Sequence, residues 1–366
     1  MRRFDRGPTP IGWRPPSLWS PLVTTNHRGN AFDLLRLVAA LLVVVGHSWV
    51  MTGHEDPLTF LSGTNAGDLG VGVFFLLSGF LVSGSWLADP SLKRFAARRA
   101  LRIYPAYALV VAALALVLGP LVTRLSVGAY YASGGTWKFL AGNLAIIPVQ
   151  FTLPGVFEGN PYPNAVDGSL WTIRVEVLCY VGVAVLGLAG LLRRRWALAA
   201  VAALLYVVAL IVEATGYHGV LLPGALDYQA AVPIAYFGVG MAYREFVGAN
   251  PPPWWTLALG AVAWAALWFT PAAPVGALVF VAALTFTIAF RAPTALHHPT
   301  GGYDLSYGTY LLAFPVQQLL HGLPSVINAL LTAVIVLALA ALSWRFVEQP
   351  ALRHKPSRPR LATAQR

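Results

Sequence analysis

Ten apolar runs alternate with short polar breaks along the chain, at roughly 32–52, 70–88, 104–122, 170–191, 196–213, 229–244, 254–269, 274–290, 303–320 and 326–346. An α-helix needs about 20 residues to cross the hydrocarbon core of a bilayer, and most of the runs approach that length. The pattern predicts an all-α polytopic membrane protein with about ten transmembrane helices. A further run, Trp137 to Gln150, holds about 14 residues and fits a short re-entrant or interfacial segment better than a span. Stretches rich in Pro and Gly (Phe151–Gly168, Pro251–Pro253, Pro271–Pro274) fall between runs and read as turns. The chain therefore divides into an Arg- and Pro-rich tail at 1–30, a transmembrane domain at 31–350 and a basic tail at 351–366. No soluble domain or internal repeat is evident.

Charge orients this series. Arg2, Arg3, Arg6, Arg14 and Arg28 precede the first run, and Lys93, Arg94, Arg98, Arg99 and Arg102 separate the second from the third. Arg193, Arg194 and Arg195 follow the fourth run, Arg244 the sixth and Arg291 the eighth; Arg353, Lys355, Arg358, Arg360 and Arg366 close the chain. With ten spans and the N-terminus inside, all of them fall on the cytoplasmic side, as the positive-inside rule requires. The loop 53–69 carries Glu55, Asp56 and Asp68 and no base, and the loop 123–169 has only Arg124 and Lys138. Counting 137–150 as a span would invert every later run and put Arg193–Arg195 outside. The expected location is the cell membrane, multi-pass, with both termini cytoplasmic and lipid as a constant partner.

Composition agrees. The 366 residues are 57% hydrophobic and only 11% charged, against about 25% charged in a soluble domain. The net charge of +11 does not point to nucleic acid, because the basic residues lie in short loops between apolar runs. The single Cys179 excludes an intramolecular disulfide.

The first run contains the most informative pair. Arg36 and His47 are eleven positions apart, which on a helix returns the side chain to within about 20° of its starting direction and about 16 Å along the axis. Ionisable groups inside a span are costly and mark functional sites by default. A neutral imidazole is a suitable general base near neutral pH. A buried helix histidine satisfied by its neighbours is the plain alternative for His47, and a local pair with Asp33 is the plain alternative for Arg36. Arg98 and Arg102 are i,i+4 neighbours that form a forked cationic face suited to phosphate, or else ordinary lipid anchors. Arg174 and Glu176 put opposite charges in the fourth run; at i,i+2 they do not face each other, so each needs another partner. The Gly-punctuated segment Gly70–Phe80 is first a packing motif, and Ser78 within it lacks the surroundings of a nucleophile elbow.

Six segments together resemble the acyltransferase 3 family of membrane-bound acyltransferases: FDLLRLVAALLVVVGH (32–47), GVFFLLSGFLVS (72–83), FAARRALRIYPAY (95–107), SLWTIRVEVLCY (169–180), YGTYLLAFPV (307–316) and SWRFVEQP (343–350). They occur in the family's order and extend from Phe32 to Pro350. The resemblance implies a ten-span domain that moves an acyl group, commonly acetyl from acetyl-CoA, onto a hydroxyl of a carbohydrate or glycosylated acceptor. It implies that Arg36 and His47 form the family's Arg-x10-His motif, that Arg99 and Arg102 form its basic motif, and that Glu176 is its acidic residue. Two departures touch substrate details: Ala313 stands where many relatives carry His, and Val73 where they carry an acid. On this reading Arg36, Arg98, Arg99 and Arg102 hold the acyl-CoA co-substrate and His47 is the general base. Glu176 orients His47 or holds the acceptor, Arg174, Trp171 and Ser78 line the acceptor site, and no metal is required. The rival reading is a transporter or flippase for a lipid-linked sugar.

Overall fold

A computed structural model of the protein describes residues 30–61, 64–222, 226–297 and 300–356. The expected tails at 1–30 and 351–366 lie largely outside the described residues, and with them Arg2, Arg3, Arg6, Arg14, Arg28, Arg358, Arg360 and Arg366.

Each of the ten apolar runs is helical. They form α1 (Phe32–Met51), α2 (Ala66–Ala88), α3 (Leu92–Ala113), α7 (Leu170–Leu188), α8 (Arg195–Thr215), α9 (Ala231–Phe246), α10 (Trp255–Leu267), α11 (Ala273–Arg291), α12 (Ser306–Leu319) and α13 (Ser325–Ser343). Helix α3 continues through a widened turn, Leu114–Leu118, into α4 (Gly119–Val122), and α13 continues likewise through Trp344–Glu348 into α14 (Gln349–Arg353). Seven of these helical stretches are long and apolar enough to cross a membrane. Helices α9, α10 and α12 have 16, 13 and 14 residues and fall short of that length. Among the described residues two strands pair in a small antiparallel ribbon, Val220–Leu222 with Leu226–Asp227.

The segment between α4 and α7 holds α5 (Val127–Ala132) and α6 (Gly134–Leu144). The α6 helix has 11 residues, about 16 Å at 1.5 Å per residue, half of a bilayer core. It lies against α3: Phe139 is buried and Tyr107 donates its hydroxyl to the Asn143 carbonyl at 2.9 Å. The run 137–150 is thus a short helix and a following loop.

Contacts at the helix ends sort the basic residues. Arg36 and Arg102 meet just before α12, the Ala31 amide donates to Ala289 at the end of α11, and Arg244 on α9 lies over Phe80 on α2. These ends form one face of the bundle. At the opposite face the end of α1 meets the start of α13 through Thr52 and Ser325, 2.6 Å apart. The Gly-rich α2 packs backbone to backbone on α9; a Cβ at Gly79 would come within 2.1 Å of the Phe237 carbonyl oxygen.

Candidate active site

The basic face carries a built ion-pair network. Asp304 sits two residues before α12 and accepts the Ser306 hydroxyl at 2.6 Å and its amide at 3.3 Å. Its other oxygen accepts Arg36 at 2.9 Å and also Arg102. Burial alone would raise the Asp304 carboxyl, but Arg102 and Arg36 override it and hold it well below the usual carboxylate range. Arg102 reaches Glu348 as well, at 3.4 Å, and lies over the Tyr307 ring, 5.6 Å from its centroid. Arg99 lies over Tyr180 at 5.7 Å, and its Nε is buried without a hydrogen-bond partner among the described residues.

A cleft of about 460 Å³ opens beside this network, lined by Arg36, Ser78, Thr172, Glu176, Tyr307 and Tyr310 among apolar side chains. Glu176 accepts the Ser78 hydroxyl at 3.1 Å and the Tyr180 hydroxyl at 2.5 Å. Thr172 and Tyr310 share a hydrogen bond of 2.6 Å. Just before α7, fully buried Asp167 accepts the Ser169 hydroxyl and amide, and burial pushes its carboxyl up to about 7.

His47 lies farther along α1, with its ring edge-on to Phe314, centroids 5.6 Å apart. Its Nδ1 is buried with no hydrogen-bond partner among the described residues, while Nε2 lies beside Gly67 at the start of α2. Asp56 is the carboxylate whose charge acts on the imidazole. Asp56 is held by the amides of Leu58 at 2.8 Å and Ala66 at 3.1 Å, and it lies so close to α1 that a Cβ at Gly46 would stand 2.2 Å from its Oδ2. The Gly-His pair at 46–47 thus lets a carboxylate approach the helix where the histidine sits. Arg36 and His47 both meet the α12 segment, at Asp304 and Phe314, ten residues apart. They share the face expected from their spacing, and parallel α12 runs along it.

The remaining expected site residues separate. Ser78, Glu176 and Arg36 line the cleft; Arg102 joins Arg36 on Asp304, and Arg99 lies over Tyr180, the partner of Glu176. Arg98 instead donates to Asp89 at 2.7 Å beside Arg94, so the forked face with Arg102 does not form; the two guanidinium groups point to different carboxylates. Hydrogen bonding from Arg94, reinforced by Arg98, holds Asp89 below the usual carboxylate range despite its burial. Arg174 pairs with Asp227 of the ribbon at 3.2 Å, and half-buried Trp171 packs on the core; neither lines the cleft. Glu176 belongs to the Arg36 end rather than to the surroundings of His47, because Ser78 lies eleven residues along α2 from Gly67. Sequence reasoning did not single out Asp304, Glu348, Asp56, Tyr307 and Tyr310. A usable signal existed for two of them: an acid just before YGTYLLAFPV and one within SWRFVEQP need buried cationic partners.

The comparisons with known proteins identify the family. The sequence model of the family described as "Acyltransferase domain", the acyltransferase 3 family, matches residues 30–346. A protein named O-acetyl transferase from Shigella phage Sf6 is 30% identical over 345 residues, covering 88% of this chain and 96% of its own. A protein named Nodulation protein 10 from Rhizobium leguminosarum bv. viciae is 32% identical over 370 residues, covering 91% of this chain and 96% of its own. No solved structure matches.

Proposed function

Because the chain belongs to the acyltransferase 3 family, we propose that it transfers an acyl group, acetyl, from cytoplasmic acyl-CoA to a hydroxyl of a carbohydrate or glycosylated acceptor. One observation carries this reading. Tyr307, Tyr310 and Phe314 form a stripe at helical spacing on α12 that leads from the cleft beside Arg36 and Arg102 to His47. The positive-inside pattern puts the arginine end at the cytoplasm, where acyl-CoA is made, and both termini with it. Arg99, Arg102 and Arg36 meet the phosphates, and the arm carrying the thioester follows the stripe. Arg98 serves the fold through Asp89.

In the chemical step the Nε2 lone pair of His47 takes the proton of the acceptor hydroxyl as its oxygen attacks the thioester carbonyl. Collapse breaks the C–S bond, and the imidazolium returns the proton to the departing thiolate, leaving an ester and free CoA. Asp56 stabilises the imidazolium that forms between these events. Glu176, fixed by Ser78 and Tyr180, shapes the donor channel; its removal slows transfer less than loss of His47. The name of the Sf6 relative favours acetyl over longer chains.

The test is turnover by purified protein in nanodiscs with acetyl-CoA and candidate glycans. His47→Ala is expected to stay folded and to bind acetyl-CoA, with transfer reduced by about 10²–10⁴-fold. Turnover within a few-fold of the parent would remove His47 from the mechanism. Passage of a lipid-linked sugar across the bilayer without consumption of acetyl-CoA would favour the flippase reading.

A further inference from the structure

A second pocket, of about 510 Å³, lies past the far end of the α12 stripe. Its polar walls come from Arg124 after α4, Glu158 and Asn160 in the loop before α7, and Gln318 and His321 at the end of α12, with Phe157 beside them. Gln318 is fully buried and ties the wall together. It accepts Asn160 at 2.7 Å and donates to the carbonyls of Tyr162 and Ala165, both at 2.8 Å. His321 Nδ1 meets the Gln318 carbonyl at 2.9 Å. A carbonyl only accepts, so Nδ1 donates this bond and Nε2 is the ring nitrogen left for a ligand. Arg124 is exposed and forms no ion pair among the described residues, although Glu158 lines the same pocket. Backbone strain marks the wall: Phe157 has a φ of 55°, a value that a bulky non-glycine residue holds only where its surroundings impose it.

The position is as informative as the lining. Gln318 is four residues beyond Phe314, about 6 Å along the helix, and Phe314 touches both His47 and Tyr162. The pocket therefore opens on the side of His47 opposite the arginine network. It offers a free guanidinium fork, a carboxylate and an imidazole nitrogen around a partly apolar floor, a set of polar groups matched to the hydroxyls of a sugar ring.

We propose that this pocket is the acceptor's sugar subsite, in which Arg124 donates to ring or hydroxyl oxygens, Glu158 accepts hydrogen bonds from hydroxyls and His321 Nε2 bonds a further hydroxyl, so that a neighbouring hydroxyl is presented to His47. The assignment rests on the acyl-transfer reading for its chemical purpose, but not for its binding. Binding of a panel of methyl pyranosides (gluco, galacto, manno and rhamno) to the full chain in nanodiscs is measured by saturation-transfer NMR. Arg124→Ala and His321→Ala should each weaken binding about tenfold or more, the loss expected when a charge-assisted or buried hydrogen bond is removed. Gly159→Ala is the independent check, because its Cβ would stand 2.3 Å from the Arg124 Nη2 and displace the guanidinium without removing it. In turnover the same variants should raise the acceptor KM and leave the acetyl-CoA KM unchanged. Parent-like glycoside binding by all three variants overturns the proposal, and so does a parent protein that binds none of the panel. A parent that binds glycosides, loses them with Arg124→Ala and never consumes acetyl-CoA would leave the subsite standing and defeat the transfer reading.

Discussion

Replacing Asp304 with Asn tests whether one carboxylate holds the arginine end together. Asp304 is 15% exposed, and its two partners Arg36 and Arg102 are 22% and 14% exposed, so little water is available to replace it. The amide keeps an acceptor for the Ser306 hydroxyl but no longer offsets two cations. Removing one partner from a buried pair typically costs about 3–5 kcal/mol. Glu348 still faces Arg102 at 3.4 Å, so the lower end, about 3 kcal/mol, is expected. Arg102→Gln should cost less in the Asp304→Asn background than in the parent, giving a coupling of at least about 1 kcal/mol. The sign with pH comes from the depressed carboxyl. Its contribution is complete above the unfolded value near 4 and is lost as pH falls through the lower folded value. The gap between parent and Asp304→Asn should therefore shrink as pH falls below about 4. Denaturant titration in micelles, followed by tryptophan fluorescence, measures all three quantities. A variant within about 0.5 kcal/mol of the parent, or strictly additive losses, would show that Asp304 is not the shared anchor.

Three further outcomes are expected. Arg99→Ala should raise the acetyl-CoA KM about tenfold or more while leaving kcat nearly intact, as loss of a contact to phosphate would; an unchanged donor KM would reduce Arg99 to a structural cation. Asp167, held near 7 by burial, binds its proton more tightly folded than unfolded, so it should cost the parent up to about 4 kcal/mol of stability as pH rises from about 4 to 7, and Asp167→Asn should show a correspondingly shallower slope. Cysteines placed at exposed Glu55 and Gly128 should react with an impermeant maleimide from outside and one at exposed Arg194 should not, against a background of buried Cys179; labelling of all three from one side would refute the proposed orientation.

The helices were legible because apolar run length is a local property. All ten runs and the short character of 137–150 could be read without knowing any contact. The Arg36–His47 face was legible for the same reason, since helical periodicity alone sets it. The partners were not. Arg98 and Arg102 are four residues apart on α3, yet one goes to Asp89 and the other to Asp304 and Glu348. That divergence depends on where the start of α12 and the end of α13 pack. The neighbours of Glu176 were not legible for a similar reason: its depth depends on Ser78 and Tyr180. Asp56 escaped notice because its acidic loop looked solvated, whereas the backbone amides at the start of α2 draw it inward against Gly46.

Charge accounting explains why the arginines of the basic face are not interchangeable. Arg36 and Arg102 are matched by Asp304 and Glu348, so this set is close to neutral before any ligand arrives. Arg94 and Arg98 share Asp89 beneath the turn between α2 and α3. Arg99 has no ion pair within the described residues; an aromatic face stands in for one. An incoming polyanion therefore gains most from Arg99, and gains from Arg36 or Arg102 only by competing with carboxylates already in place. Such competition gives the proposed donor site selectivity: a small anion has too little charge to displace Asp304, whereas a nucleotide bearing several phosphates can engage Arg99 first and then draw on its neighbours. The same balance keeps the empty site stable inside a bilayer, where three unmatched guanidinium groups would not be tolerated.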